Sequence, residues 1–352
     1  MKSLSLLFIL CMVSVLAFAQ ASSPADTLGV LGGIVPDDQV GGIPPHDSLG
    51  RGSAQQGLVQ DSAQSDASQA AVEHPDWVRV PGELIRPDCV HEIPSGANVE
   101  MVNGQVTGDV TLNGALIAHY DACPEDGIIT RHQAGTQNLD QLASGNGWVE
   151  QAQWNAGNHN IDSLEGHWTV PTKPLQDGGV IYMFNGLEPS TQCCIMSPIL
   201  QYGYNGYFGG NYWSFASWLV TPGNVWHSQP LTVHAGDTLI GYTEVIQTSG
   251  GNLYYQVVSE DLTSRVATQI EVVSSGLRWS WVYGASLEAY NITSCAQFPP
   301  GLKEAFSDIS VTQAPGYTLA SPVWIGVIDG YGGPHCGFAV DINSESKITL
   351  HF

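Results

Sequence analysis

From Gly147 onward, short apolar stretches alternate along the chain with breaks at Gly, Pro, Asn and Asp. Examples are "GGVIYMFNGL", "YWSFASWLV", "DTLIGYTEVI" and "NLYYQVVS". Their period-two patterning and their β-branched and aromatic residues are typical of strands, and no comparable stretch shows helical spacing. Turns such as "FGGN" and "TSGGN" favour hairpins. Roughly ten or more strands over about 200 residues predict an all-β fold, a two-sheet antiparallel β-sandwich of the jelly-roll, concanavalin-like kind.

The N-terminal part divides into three segments. A basic residue, a short apolar run and the small-residue site Ala17-Phe18-Ala19 predict a secretory signal peptide over residues 1–19. Residues 20–75 are rich in Ser, Ala, Gln, Gly and Asp, which cannot bury enough apolar surface to fold, so we expect a disordered linker or a propeptide. Residues 76–146 contain short stretches with strand-like patterns. They predict a small accessory segment that depends on packing against a sandwich domain over 147–352.

Six cysteines remain once the signal peptide is removed: Cys89, Cys123, Cys193, Cys194, Cys295 and Cys336. An even number in an exported chain favours disulfides over metal ligands. We expect Cys89 to pair with Cys123, which leaves Cys193 and Cys194 to share Cys295 and Cys336. Spacing alone does not fix this connectivity.

The net charge of the chain limits the classes of partner that it can bind. The net charge is −23 with only ten Lys and Arg, which argues against nucleic acid and anionic membranes, since both need a basic surface. We expect a secreted, extracellular monomer. The same acidity suits a protein that works in acid, and ordinary solubility explains it equally well.

Common catalytic motifs are absent from the sequence. The eleven histidines are scattered without H-E-x-x-H, and His227 and His234 are expected at the surface or in turns. There is no G-x-S-x-G turn for a serine nucleophile and no phosphate-binding glycine loop. We therefore expect neither a metal nor another cofactor.

Two polar residues lie within apolar strands. Alternation puts Gln201 on the face opposite Leu200 and Tyr202. Asn291 begins an N-x-T sequon for glycosylation, which requires an exposed side chain. If Asn291 points outward, the same alternation turns Glu288 the opposite way, toward the interior or a cleft.

Such a glutamate would be chemically useful. A carboxyl held among Trp279, Trp281 and Tyr290 would have a raised pKa and could act as a general acid or base. An amide such as that of Gln201 forms hydrogen bonds without changing charge. The simpler alternative is that both side chains satisfy neighbouring backbone groups or face solvent at a strand edge.

Several motifs resemble one family of enzymes. "PILQYG" (residues 198–203) is similar to the ILQ-T-G strand of the secreted glutamic peptidases, or eqolisins, and "WVYGASLEAYNI" (281–292) resembles their E-W-I-V-E-D-F strand. "HWTVP", "YMFNGLE" and "VHAGDTLIG" look like other strands of that family in the same order. The resemblance covers about residues 160–310. Ser217 or a neighbour replaces a family glutamate, which departs from the pattern.

The resemblance implies an acid endopeptidase acting on polypeptide substrates. Glu288 would activate water and then protonate the leaving amine, while the Gln201 amide would stabilise the oxyanion. Tyr202, Trp218 and Trp281 would line the cleft, although core packing is the common role of such residues.

Two other classes remain open. The many Trp and Tyr residues could make a non-catalytic, lectin-like sandwich that binds carbohydrate by stacking. A structural coat protein is the third class, for which the sequence offers no repeat.

Overall fold

The computed structural model describes residues 76–124, 128–130, 147–329, 331 and 333–352. The predicted signal peptide and the predicted linker or propeptide therefore lie outside the described residues. Within the described part of the chain, no helix is long and apolar enough to cross a membrane.

The described residues form twenty-three β-strands and short 3₁₀ turns at Pro87–Cys89 and Cys295–Gln297. The strands of the N-terminal part are β1 (Val78–Val80), β2 (Glu83–Ile85), β3 (Val90–Ile93), β4 (Ala97–Val102), β5 (Gln105–Leu112), β6 (Ala115–His119) and β7 (Ile128–Thr130). The next group is β8 (Gly147–Asn155), β9 (Ile161–Thr169), β10 (Val180–Pro189), β11 (Ile195–Tyr202), β12 (Trp213–Val220), β13 (Val225–Ser228), β14 (Leu231–Val233) and β15 (Thr238–Ser249). The last are β16 (Asn252–Asp261), β17 (Val266–Ser275), β18 (Trp279–Tyr290), β19 (Lys303–Gln313), β20 (Thr318–Leu319), β21 (Ile325–Ile328), β22 (Ala339–Ser344) and β23 (Lys347–His351).

Two large sheets pack face to face, which confirms the predicted all-β sandwich. The nine-stranded sheet has the order β21-β8-β18-β10-β11-β12-β13-β3, with β14 beside β12. The eleven-stranded sheet has the order β22-β23-β19-β9-β15-β16-β17-β4-β5-β6, with β20 beside β19. A third, small sheet contains β1, β2 and β7. Most pairs are antiparallel, but β3 joins β13 and β4 joins β17 in parallel.

The main core lies between the two large sheets. Met183, Leu200 and Leu287 enter it from the nine-stranded sheet, and Leu239 and Val257 from the eleven-stranded sheet, all fully buried. The core combines aliphatic and aromatic side chains, as interdigitating sheet faces require.

The nine-stranded sheet is buried on its other face too, which we call its outer face. Val78, Val80 and Ile85 pack there against residues such as Tyr182 and Trp218, forming a second hydrophobic cluster. Burial on both faces explains why β10, β11 and β12 read as continuous apolar runs rather than clean alternations. The outer face is therefore covered by the chain's own N-terminal part.

The disulfides bear out one expectation and correct another. Cys89 bonds Cys123, as predicted. Cys193 and Cys194 instead bond each other, and Cys295 bonds Cys336. The fold brings the turn after β18 beside the loop before β22, so that the Cα atoms of Cys295 and Cys336 lie 5.4 Å apart. Pairing of Cys193 or Cys194 with either of them was therefore wrong.

Candidate active site

Four side chains form one row across adjacent strands of the nine-stranded sheet. Tyr182 of β10 lies opposite Glu288 of β18 on one side and Gln201 of β11 on the other. Gln201 in turn lies opposite Ser214 of β12. Directly paired residues share a face, so Gln201 and Glu288 both belong to the outer face. Their backbones are two strand spacings apart, roughly 10 Å.

Packing against the core orients Glu288. Leu287 and Ala289 are fully buried between the sheets, so Glu288 and Tyr290 face the other way. Asn291 is exposed, but only because it lies beyond the end of β18 with a left-handed backbone (φ 57°) that asparagine tolerates. Alternation counted from Asn291 was therefore not valid, because that residue lies outside β18, and the orientation of Glu288 follows from its buried neighbours Leu287 and Ala289. Glycosylation of Asn291 stays a prediction.

Glu288 is fully buried in a hydrogen-bonded pocket. Its Oε2 accepts hydrogen bonds from the Gly82 N–H at 2.9 Å and the Tyr290 hydroxyl at 2.8 Å. Burial raises the pKa of Glu288 to about 8; these two hydrogen bonds oppose the rise, and the nearby acids Glu188 and Asp329 add to it. Below about pH 8 the carboxyl is therefore uncharged in this form of the protein.

Gln201 is buried and holds the loop that follows β11. Its Nε2 donates to the carbonyl oxygens of Gly203 at 3.0 Å and Phe208 at 3.1 Å. Its Oε1 accepts from the Asn205 side chain at 3.4 Å. The loop packs so tightly that a Cβ at Gly209 would come within 2.5 Å of Gln201 Nε2. In this form of the protein, both N–H groups of the Gln201 amide bond loop carbonyls.

Strand β1 and the turn after it, residues 77–82, lie over Tyr182, Tyr290 and Glu288, and we call them the covering segment. The Tyr182 hydroxyl donates to the carbonyl oxygen of Arg79, and the Tyr290 hydroxyl is 2.8 Å from that of Val80. At its end, the Gly82 N–H reaches Glu288. The Val78 and Val80 side chains are fully buried. The covering segment thus puts peptide backbone directly on Tyr182, Tyr290 and Glu288.

The aromatic residues suggested for the cleft are divided between the two faces. Trp218 lies on the outer face, with its ring 6.2 Å from that of Tyr182 and 5.6 Å from that of Phe208. Trp281 is half-buried on the same face, opposite Glu188. Tyr202 points into the core and donates to Asp177 at 2.6 Å, so the structure does not bring it to the row.

Two further residues differ from expectation. Trp279 also lies in the main core, where its indole N–H donates to Ser274 at 2.8 Å, so it does not surround Glu288. His227 is fully buried in β13, 4.9 Å from the Trp218 ring, and burial lowers its pKa to about 4. Its placement at the surface was therefore wrong, whereas His234 is exposed as expected.

Sequence reasoning missed two residues of this face, Tyr182 and Glu188. Tyr182 separates Gln201 from Glu288, and its position requires the strand register to be known. Tyr290, by contrast, was expected beside Glu288, and the 2.8 Å contact between its hydroxyl and Glu288 Oε2 confirms this. Glu188 is buried on the same face, accepts a hydrogen bond from Tyr283 at 2.9 Å, and has its pKa raised to about 8 by burial. It is thus a second buried acid beside the row.

No protein-family model matches the chain, and no curated protein matches it in sequence. Among solved structures, scytalidoglutamic peptidase with a peptide-based transition-state analogue is similar at 13% identity and a TM-score of 0.40, covering 58% of this chain and 98% of its own. SCP-B, an eqolisin-family peptidase in complex with the tripeptide Ala-Ile-His, is 14% identical with a TM-score of 0.39, and the match covers 58% of this chain and 98% of SCP-B. Aspergilloglutamic peptidase from Aspergillus niger is 16% identical with a TM-score of 0.33, and the match covers 49% of this chain and 98% of that protein.

Proposed function

We propose that the chain is a secreted acid endopeptidase of the glutamic type, with Glu288 as general base and acid and Gln201 as a stabiliser of the oxyanion. The observation that carries the proposal is the shared register of Gln201 and Glu288 on one sheet face, with peptide backbone of the covering segment in contact with Glu288. The motif "ILQYG" and the strand ending in "LEAY" support it from the sequence.

The proposed reaction needs Glu288 in its carboxylate form. The carboxylate takes a proton from water as the water oxygen bonds the substrate carbonyl carbon. The C–N bond then breaks, and Glu288 passes the proton to the leaving amine. Because burial raises the pKa of Glu288, the covered carboxyl is protonated and cannot act as a base in acid. Exposure to water would bring the pKa back toward its ordinary value.

We therefore infer that the covered form is latent. The covering segment occupies the place of a substrate and excludes water from the Glu288 carboxyl. Residues 77–82 would have to leave before a polypeptide could bind, whether by displacement or by cleavage. The covering segment begins just after the predicted linker or propeptide of residues 20–75 and belongs to the predicted accessory segment.

The experiment that tests the function is digestion of a denatured protein at pH 3–5 by the purified full chain, in which the molecules whose covering segment is displaced are expected to supply the activity. Activity should persist with inhibitors of serine, cysteine and metal enzymes. Gln201→Ala should lower the rate by about 10²- to 10³-fold, because it removes an oxyanion donor. The control is Gln247→Ala, which removes an exposed glutamine of β15 in the other sheet. Equal rates for the two variants would reject the assignment of Gln201.

Loosening the covering segment should increase activity. Val78→Lys puts a charge where a fully buried valine packs, forfeiting about 1.5–3 kcal/mol of burial and adding the cost of desolvating the charge. Since 1.4 kcal/mol is a tenfold change, the rate should rise by about 10- to 100-fold. Val102→Lys, at an exposed position of β4, is the matched control. If both variants digest at the rate of the parent chain, the segment does not limit access.

A further inference from the structure

The covering segment shows how peptide backbone binds beside Glu288. The Val80 carbonyl oxygen lies 2.8 Å from the Tyr290 hydroxyl, which is itself 2.8 Å from Glu288 Oε2. The Gly82 N–H completes the contact at 2.9 Å from the same carboxyl oxygen. A peptide carbonyl, a phenol hydroxyl and the candidate base thus form one continuous hydrogen-bonded chain.

We propose that Tyr290 is a catalytic residue whose hydroxyl lies beside the scissile carbonyl oxygen of the substrate and donates a hydrogen bond to it once the oxyanion forms. This inference rests on the proposed peptidase function. It takes the Val80 carbonyl as marking the position of the substrate carbonyl. Gln201 would share this role once its amide exchanges a hydrogen bond to Gly203 or Phe208 for one to the oxyanion.

The proton count gives Tyr290 a role that changes during the reaction. A hydroxyl has one hydrogen, so Tyr290 can donate either to Glu288 or to the carbonyl oxygen at a given moment. While Glu288 is a carboxylate, it is the stronger acceptor and holds that hydrogen. Once Glu288 has taken the proton from the attacking water, the neutral carboxyl can donate to Tyr290, whose own hydrogen turns to the new oxyanion. The hydrogen bond therefore strengthens in the transition state, where it accelerates the reaction.

The test is Tyr290→Phe in the full chain, assayed on denatured protein at pH 3–5. We expect kcat to fall on the order of 10²-fold with KM changed by only a few fold, because the lost interaction belongs to the transition state. The matched control is Tyr255→Phe, which removes another buried hydroxyl, one that donates to the Ile161 carbonyl at 2.8 Å in the other sheet. Tyr255→Phe should retain the parent rate, with near-ultraviolet circular dichroism reporting the fold of each variant.

Every outcome decides the question. If the parent chain is active and Tyr290→Phe keeps its kcat, the inference is overturned and the peptidase function stands. If no form of the chain cleaves peptides, both fail. If Tyr290→Phe does not fold, 3,5-difluorotyrosine at position 290 keeps the shape with a more acidic phenol. A changed kcat for that chain supports the role of Tyr290, and an unchanged kcat overturns it.

Discussion

Replacing Glu288 with glutamine is expected to reduce peptide hydrolysis by about 10²- to 10⁴-fold while the protein still folds. In the covered form Glu288 is protonated, so an amide closely reproduces its shape and charge. The amide oxygen can accept from Gly82 and Tyr290 as the carboxyl does. What the amide cannot do is take a proton from water. The measurement is kcat/KM on a denatured protein or peptide between pH 3 and 7.

The matched control for this variant is Glu304→Gln. Glu304 is also a buried acid, with a pKa raised to about 8 by burial, but it lies in β19 of the other sheet and accepts from the Thr169 N–H. It should retain full activity. A Glu288→Gln chain as active as this control would contradict the role of Glu288. Loss of activity in Glu188→Gln alone would move the role to Glu188, the other buried acid of the outer face.

The second large effect concerns stability, which is expected to fall as the pH rises from about 4 to 8. Burial raises the pKa of Glu150 to about 9, of Glu188, Glu288 and Glu304 to about 8, and of Asp329 to about 6. In the unfolded chain such acids lose their protons near pH 4. Between those values the folded protein binds more protons than the unfolded chain, so the free energy of unfolding decreases with pH.

The expected slope is about 1.4 kcal/mol per pH unit for each acid that only the folded state keeps protonated. The net charge of −23 adds self-repulsion in the same direction. One acid whose pKa is raised from about 4.5 to about 8 contributes about 5 kcal/mol over this range, so we expect the Tm at pH 8 to be lower than at pH 4 by more than about 10 °C, measured by calorimetry. Glu150→Gln should reduce this dependence, whereas Glu100→Gln at an exposed position should not. A Tm that is constant or rises toward pH 8 would show that these acids are not buried and protonated.

Local alternation predicted the orientation of the candidate residues better than it predicted their surroundings. In β11 it separates Gln201 from Leu200 and Tyr202, and the structure has those two in the main core. In β18 it separates Glu288 from Leu287, but it could not say which face was the core. Both faces of the nine-stranded sheet are buried, so both carry mainly apolar residues, and the polarity of the side chains does not show which face lies in the main core.

Contacts distant in sequence were beyond prediction. Gly82 and Glu288 are separated by 206 positions, and nothing in "WVRVPG" indicates that it lies on β18. The row through Tyr182 depends on the register of three strands, which a single sequence does not specify. The bond between Cys193 and Cys194 likewise follows from the local turn and from no spacing rule. Sequence therefore identified candidate residues, and the fold supplied their neighbours.

The bond between Cys89 and Cys123 determines what a cut in the N-terminal part would release. Under the proposed function, the covering segment would compete with substrate at an effective concentration on the order of millimolar while it stays joined to β2, because it could not diffuse away. After a cut between Gly82 and Cys89, the piece upstream of the cut could dissociate and diffuse away. The chain from Cys89 onward would stay attached through the Cys89–Cys123 disulfide and through the pairing of β3 with β13. Activation by cleavage would therefore be irreversible, whereas activation by displacement of the intact covering segment would be reversible.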